Sequence, residues 1–164
     1  MSKLRPAALF AVLWLLSATA AFAQNPAVCP WFTRGSAENV LGGPVQASAK
    51  SGDFFEGTCR FSRQEADTIR TLDISIGKVD THPCQANGTP VKALGNEAVQ
   101  CHSAGASQHP ADIISGRVRD AYFVITLTGV PGASVQPEEG KSPPDSYRAS
   151  LLERIAEQVV GNLF

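Results

Sequence analysis

The chain has 164 residues, 43% hydrophobic and 18% charged, with four cysteines and a formal net charge of −1. That length suits one domain with a core of its own, and the near-neutral balance argues against nucleic-acid binding, which needs a basic patch large enough to displace phosphate counterions. Arg117 and Arg119 are a pair and not a patch.

At the N-terminus, Lys3 and Arg5 precede the apolar run at residues 7–16, which gives way to small residues ending Ala21-Phe22-Ala23. A positive start, an apolar stretch short for a bilayer and an A-x-A ending predict a signal peptide over residues 1–23, cleaved after Ala23. An uncleaved membrane anchor is the alternative. No second apolar run offers a transmembrane segment in the mature chain, and Val28 before Cys29 does not suit lipoprotein cleavage. A soluble periplasmic or secreted domain over residues 24–164 is therefore expected. Cleavage removes two bases and no acid, leaving 12 basic against 15 acidic residues, a net charge of −3.

Residues 33–43 read as a short helix, with Ser36 as its cap, Val40-Leu41 as its apolar contact and Gly42-Gly43 closing it before Pro44. A strand is expected near Val45-Gln46-Ala47. From Gly57, Cys59 and Phe61 alternate with Thr58, Arg60 and Ser62, and further on Leu72, Ile74 and Ile76 alternate with Thr71, Asp73 and Ser75. Period-two patterns of this kind belong to half-buried antiparallel strands. Residues 97–102 resemble another strand, with Val99 and Cys101 on one side. Residues 113–119 and 122–128, rich in β-branched and aromatic side chains, form a predicted hairpin turning at Asp120-Ala121. Residues 129–144 hold many glycines and prolines without periodicity and read as a long surface loop. Ser142, Pro143 and Asp145 then signal a helix start, and Tyr147, Leu151, Leu152, Ile155, Val159 and Leu163 recur at three- and four-residue steps as its packing face. Helix, antiparallel strands and helix in this order predict an α+β fold. It is a two-layer sandwich, a mainly antiparallel sheet packed against a short N-terminal and a longer C-terminal helix. Nothing alternates strand with helix as a nucleotide-binding parallel sheet does, and no Gly-rich phosphate loop is present.

Several motifs carry a resemblance. Cys29-Pro30-Trp31-Phe32-Thr33, then Val40-Leu41-Gly42-Gly43-Pro44-Val45, then Cys59-Arg60-Phe61, and finally Ala93-Leu94-Gly95-Asn96-Glu97-Ala98 follow one another in the chain. In that order they resemble a family of small exported bacterial domains of unknown function. Many members of the family are actinobacterial lipoproteins, with a Gly-Leu-Gly-Asp-x-Ala turn before a central strand and a PsbP-like α/β sandwich. The resemblance implies that fold and an exported home, and no activity. The family's lipid-anchoring cysteine is not evident, and Cys84 with Cys101 looks like an addition.

Export into an oxidising compartment favours two disulfides among Cys29, Cys59, Cys84 and Cys101. Three pairings are open, and the simplest joins Cys29 to Cys59 and Cys84 to Cys101. The alternative is a zinc or cuprous copper site built from His82, Cys84, Cys101 and His102. Each histidine stands too near its cysteine for the usual ligand spacing, and neighbours on a strand point to opposite faces. No other cofactor is expected. His109 reads as a loop histidine, Asn87-Gly88-Thr89 as a turn with a formal glycosylation sequon, and Glu138-Glu139 as solvated loop acids. No G-x-S-x-G or other recognisable catalytic setting is present, although an enzyme with an unrecognised site stays open. What survives is a non-enzymatic binding or protein-interaction module of the cell envelope, partnered by an envelope protein or a small ligand. Its candidate surfaces are the loops at residues 77–90 and 129–144, each of which serves equally well as a plain connection.

Overall fold

A computed structural model describes residues 28–81, 83–84, 88–103, 110–130 and 144–163. The signal peptide expected at residues 1–23 lies outside them, as do His82, Asn87, His109, the Glu138-Glu139 pair and the loop at residues 131–143. Within them, seven strands form one antiparallel sheet and two helices pack against it, an α+β sandwich. None of the described helices is long and apolar enough to cross a membrane.

The first helix, α1 (Arg34–Leu41), begins where the Thr33 hydroxyl accepts the Ser36 amide at 3.1 Å. The cap is therefore Thr33 and not Ser36, which sits inside the helix; both are hydroxyl residues, and only the backbone of Thr33 is extended. The helix stops at Gly42, whose φ of 83° lets its N–H reach back to Glu38 O. Arg63 and Arg70 then each donate to Leu41 O, at 2.9 and 3.2 Å, placing two cations at the negative end of the helix dipole.

Strands β1 (Gln46–Asp53), β2 (Glu56–Glu65) and β3 (Thr68–Gly77) form two hairpins. Two short strands, β4 (Thr89–Pro90) and β5 (Glu97–Ser103), precede the hairpin of β6 (Ala111–Val118) and β7 (Ala121–Thr128). The order across the sheet is β1-β2-β3-β7-β6-β5-β4, so β7 closes against β3 and unites the two halves. The β6–β7 turn lies at Arg119-Asp120, one residue earlier than expected, with Arg119 at a left-handed φ of 53°.

Register places Phe61, Leu72, Ile74, Ile125, Phe123 and Ile114 on one face of the sheet, where all six are buried. Burying side chains of this size stabilises by about 1.5–3 kcal/mol each. Helix α2 (Pro144–Gly161) covers the β6–β7 side of that face and α1 the β2–β3 side. From α2 and just beyond its end, Leu151, Leu152, Ile155, Ala156, Val159 and Leu163 enter the core. Tyr147 does not: it is 49% exposed, although its spacing from Leu151 placed it on the packing face. Gln158 Nε2 donates to Ser36 Oγ at 3.0 Å and joins the two helices.

Cys29 bonds to Cys59 and Cys84 to Cys101, with Cα separations of 5.8 and 5.5 Å. The first bridge ties the chain entering α1 to the core face of β2. The second lies on the opposite face, because Cys101 pairs in register with Ile113 while its neighbours Gln100 and His102 face the helices. Cys84 is buried there, and Gly88 follows so close to Val99 that a Cβ would stand 3.0 Å from the valine Cβ. Cys84 and Gly88 therefore lie on the outer face over β5 and β6.

Candidate functional site

One end of the sandwich gathers four chain segments that are far apart in sequence. The β1–β2 turn is held there by the Asp53 carboxylate, which accepts the Phe55 amide at 2.7 Å, and by Trp31 Nε1, which donates to Phe54 O at 2.8 Å. Held in this way, Phe54 and Phe55 stand edge to face with ring centres 5.3 Å apart, each about half exposed. The β6–β7 turn lies beside them, and the chain after α2 brings in Leu163, fixed in part by Asn162 Nδ2 donating to Trp31 O at 3.0 Å. Together Phe55, Val118, Ala121 and Leu163 line a cavity of about 480 Å³, with Lys78, Arg119 and Asp120 at its polar edge. That volume and that mixture, apolar walls with a few convergent polar groups, are those of small-molecule sites.

The turn at residues 93–96 shapes this cavity. Leu94 is buried, Gly95 takes a φ of 66° with its Cα so close to Arg117 that a Cβ would lie 2.6 Å from Arg117 O, and Asn96 bonds twice to the β6–β7 hairpin. Its N–H donates to Arg117 O at 2.8 Å and its Oδ1 accepts the Arg119 amide at 2.6 Å. The motif Ala93-Leu94-Gly95-Asn96-Glu97-Ala98 thus positions the residues that rim the cavity.

A second cavity, of about 320 Å³, opens on the outer face beside the first and shares Lys78 with it. Thr58, Ser75 and Val124 lie side by side across β2, β3 and β7 as its floor, with Tyr122, Val79 and Thr81 around them. Lys78 also approaches Asp53, with Nζ 3.8 Å from Oδ2. Farther along the same face, a hydrogen bond from Arg60 to Asp73, and then the charge of that carboxylate, raise the guanidinium above its ordinary range.

The histidines and cysteines take other roles. His102 Nδ1 lies 2.9 Å from Asp112 Oδ1 on the helix-facing side of the sheet, and Arg148 Nε stands 3.5 Å from Asp112 Oδ2. These groups line a groove of about 520 Å³ between β4, β5 and α2. Asp112 and Arg148 are mostly buried, so their ion pair serves to dock the first turns of α2 on β6. A histidine oriented by a carboxylate suits a general base, but a nucleophile has to stand beside it. Among the described lining residues Thr89 alone carries a hydroxyl, on the strand that pairs with Gln100.

A metal centre from His82, Cys84, Cys101 and His102 is not assembled. The two sulfurs are bonded to each other, His102 faces away from Cys101 and pairs with Asp112, and His82 lies outside the described residues. Among the described residues no group of three or more His, Cys, Asp or Glu side chains converges for a metal. Of the two loops expected as surfaces, the one at residues 77–90 supplies Lys78, Val79 and Thr81 to the cavities, and most of the other lies outside the described residues.

Sequence reasoning missed Phe55, Val118, Ala121 and Leu163 as lining residues and Asp112 and Arg148 as a pair. One signal was present: Phe54-Phe55, two adjacent aromatics between Asp53 and Glu56-Gly57, form the β1–β2 turn itself, where no strand face buries them. No protein-family model and no curated protein matches this chain.

Proposed function

We propose that this chain is an exported, non-catalytic binding module of the cell envelope that takes an apolar group into the cavity between Phe55, Val118, Ala121 and Leu163. The observation that carries this is the cavity itself, of about 480 Å³, walled by apolar side chains from three segments that backbone and side-chain hydrogen bonds hold in place. Preorganisation of that kind lowers the ordering cost of binding. Two disulfides fit an oxidising compartment. The signal-peptide pattern at residues 1–23 and the resemblance to small exported PsbP-like domains support the envelope setting.

The neutral fluorescent probe N-phenyl-1-naphthylamine tests this. Its emission should rise on mixing with the mature protein, and Ala121→Leu, which fills the cavity, should weaken binding at least tenfold. Ala149→Leu, in the groove beside His102, should leave binding unchanged. Loss of binding with Ala149→Leu and not with Ala121→Leu would contradict the assignment.

A further inference from the structure

The apolar end cavity and the outer-face cavity share Lys78 and are lined differently. The first has four apolar walls. The second sets the hydroxyls of Thr58, Ser75 and Thr81 and the carboxylate of Glu56 among the side chains of Val79, Tyr122 and Val124, on a part of the sheet where both Thr58 and Ser75 are exposed. Hydroxyls both donate and accept, so this lining matches a neutral head rich in hydroxyl groups. Charge argues the same way. Lys78 is placed beside Asp53, and Arg119 shares the cavity edge with Asp120, so the rim carries both signs and offers no net cationic field for an anionic head.

The second disulfide also finds a purpose here. Val79 and Thr81 wall the outer-face cavity, and the segment that carries them is anchored at one end by Gly77, paired with Tyr122, and at the other by Cys84, bonded to Cys101. The bridge therefore restrains the wall of the outer-face cavity, whereas the apolar walls of the end cavity come from the β1–β2 turn, the β6–β7 hairpin and Leu163.

Resting on the proposed use of the end cavity, we infer that the ligand is a two-part amphiphile, with an acyl-sized apolar chain in the end cavity and a neutral polyhydroxylated head over Thr58, Ser75 and Tyr122. The chain passes Lys78, which lines both spaces. The class is that of a glycosylated lipid or alkyl glycoside, and it excludes fatty acids and alkyl sulfates as preferred ligands.

Isothermal titration of the mature protein below micelle-forming concentrations compares three probes: octyl glucoside, octyl sulfate with the same chain, and glucose alone. Octyl glucoside should bind at least tenfold more tightly than octyl sulfate, with glucose undetected. The double variant Thr58→Val with Ser75→Ala should weaken octyl glucoside about tenfold and leave N-phenyl-1-naphthylamine binding as it is in the unaltered protein. Replacing both Cys84 and Cys101 by alanine should likewise weaken the glucoside more than the naphthylamine, and thermal unfolding of each variant reports that it is folded. Equal affinity for glucoside and sulfate, with naphthylamine binding intact, would overturn the amphiphile assignment and leave the end cavity as an apolar site. Absence of naphthylamine binding would overturn the end-cavity reading on which the assignment rests.

Discussion

Asn96 fastens the turn at residues 93–96 to the β6–β7 hairpin at two points, through its own N–H to Arg117 O and through Oδ1 to the Arg119 amide. Removing the side chain in Asn96→Ala leaves the Arg119 amide without that acceptor while the backbone bond to Arg117 stays. Loss of one such hydrogen bond costs about 1 kcal/mol. Urea denaturation should report a fall of that order, and the Arg119 amide should exchange faster with solvent; Asn96→Asp, which keeps the acceptor, should retain the protection. A turn is expected at these residues from the sequence, but Asn96 acts on a residue 23 positions away. A partner so distant leaves no local trace. His102 and Asp112 are similar: the strand pattern puts His102 opposite in sense to Cys101, yet only the β5–β6 register brings Asp112 to its ring.

Among the elements, β3 and β7 were the most legible, because Leu72, Ile74 and Ile76 alternate with polar residues and residues 122–128 are almost all strand formers. β1 was legible only at its start. Its sequence, QASAKSGD, consists of small and polar residues without a strong apolar alternation, and it forms through pairing with β2. The β2–β3 hairpin turns at Ala66-Asp67, and Ala66 holds a φ of 49°, a left-handed conformation in which a β-carbon costs about 1–2 kcal/mol. Glycine there avoids that cost at the expense of a more mobile unfolded chain. Ala66→Gly should therefore stabilise the protein by about 0.5–1 kcal/mol, raising the midpoint of thermal unfolding. A lowered midpoint would show that the hairpin draws on the alanine in another way. In α2 the spacing of apolar residues placed the core-facing leucines, isoleucine and valine but also enrolled Tyr147; near the start of a helix, spacing sets direction without guaranteeing that a neighbour is there to cover the side chain.

At the scale of the whole molecule, the two disulfides close spans of 30 and 17 residues, and the chain-entropy estimate assigns about 3–4 kcal/mol to each. Their positions divide the work: Cys29–Cys59 secures the layer that holds Trp31 and α1 against the sheet, and Cys84–Cys101 secures the segment over the outer face. The cysteines and their simplest pairing could be written from the sequence, whereas the end cavity could not. It is assembled from Phe55, Lys78, the turn around Arg119 and Leu163, and each is unremarkable until strand order brings them to one end. The competing site is the groove beside His102, at the other end of β6. Chemical-shift mapping of the isotope-labelled mature protein during titration with octyl glucoside distinguishes the two most directly. The largest shifts should fall on Phe55, Lys78, Val118, Ala121 and Leu163 and, under the glucose head, on Thr58, Ser75 and Tyr122, with those of Gln100, His102, Asp112 and Arg148 unmoved. Shifts centred on His102 and Asp112, with the end cavity unchanged, would contradict it.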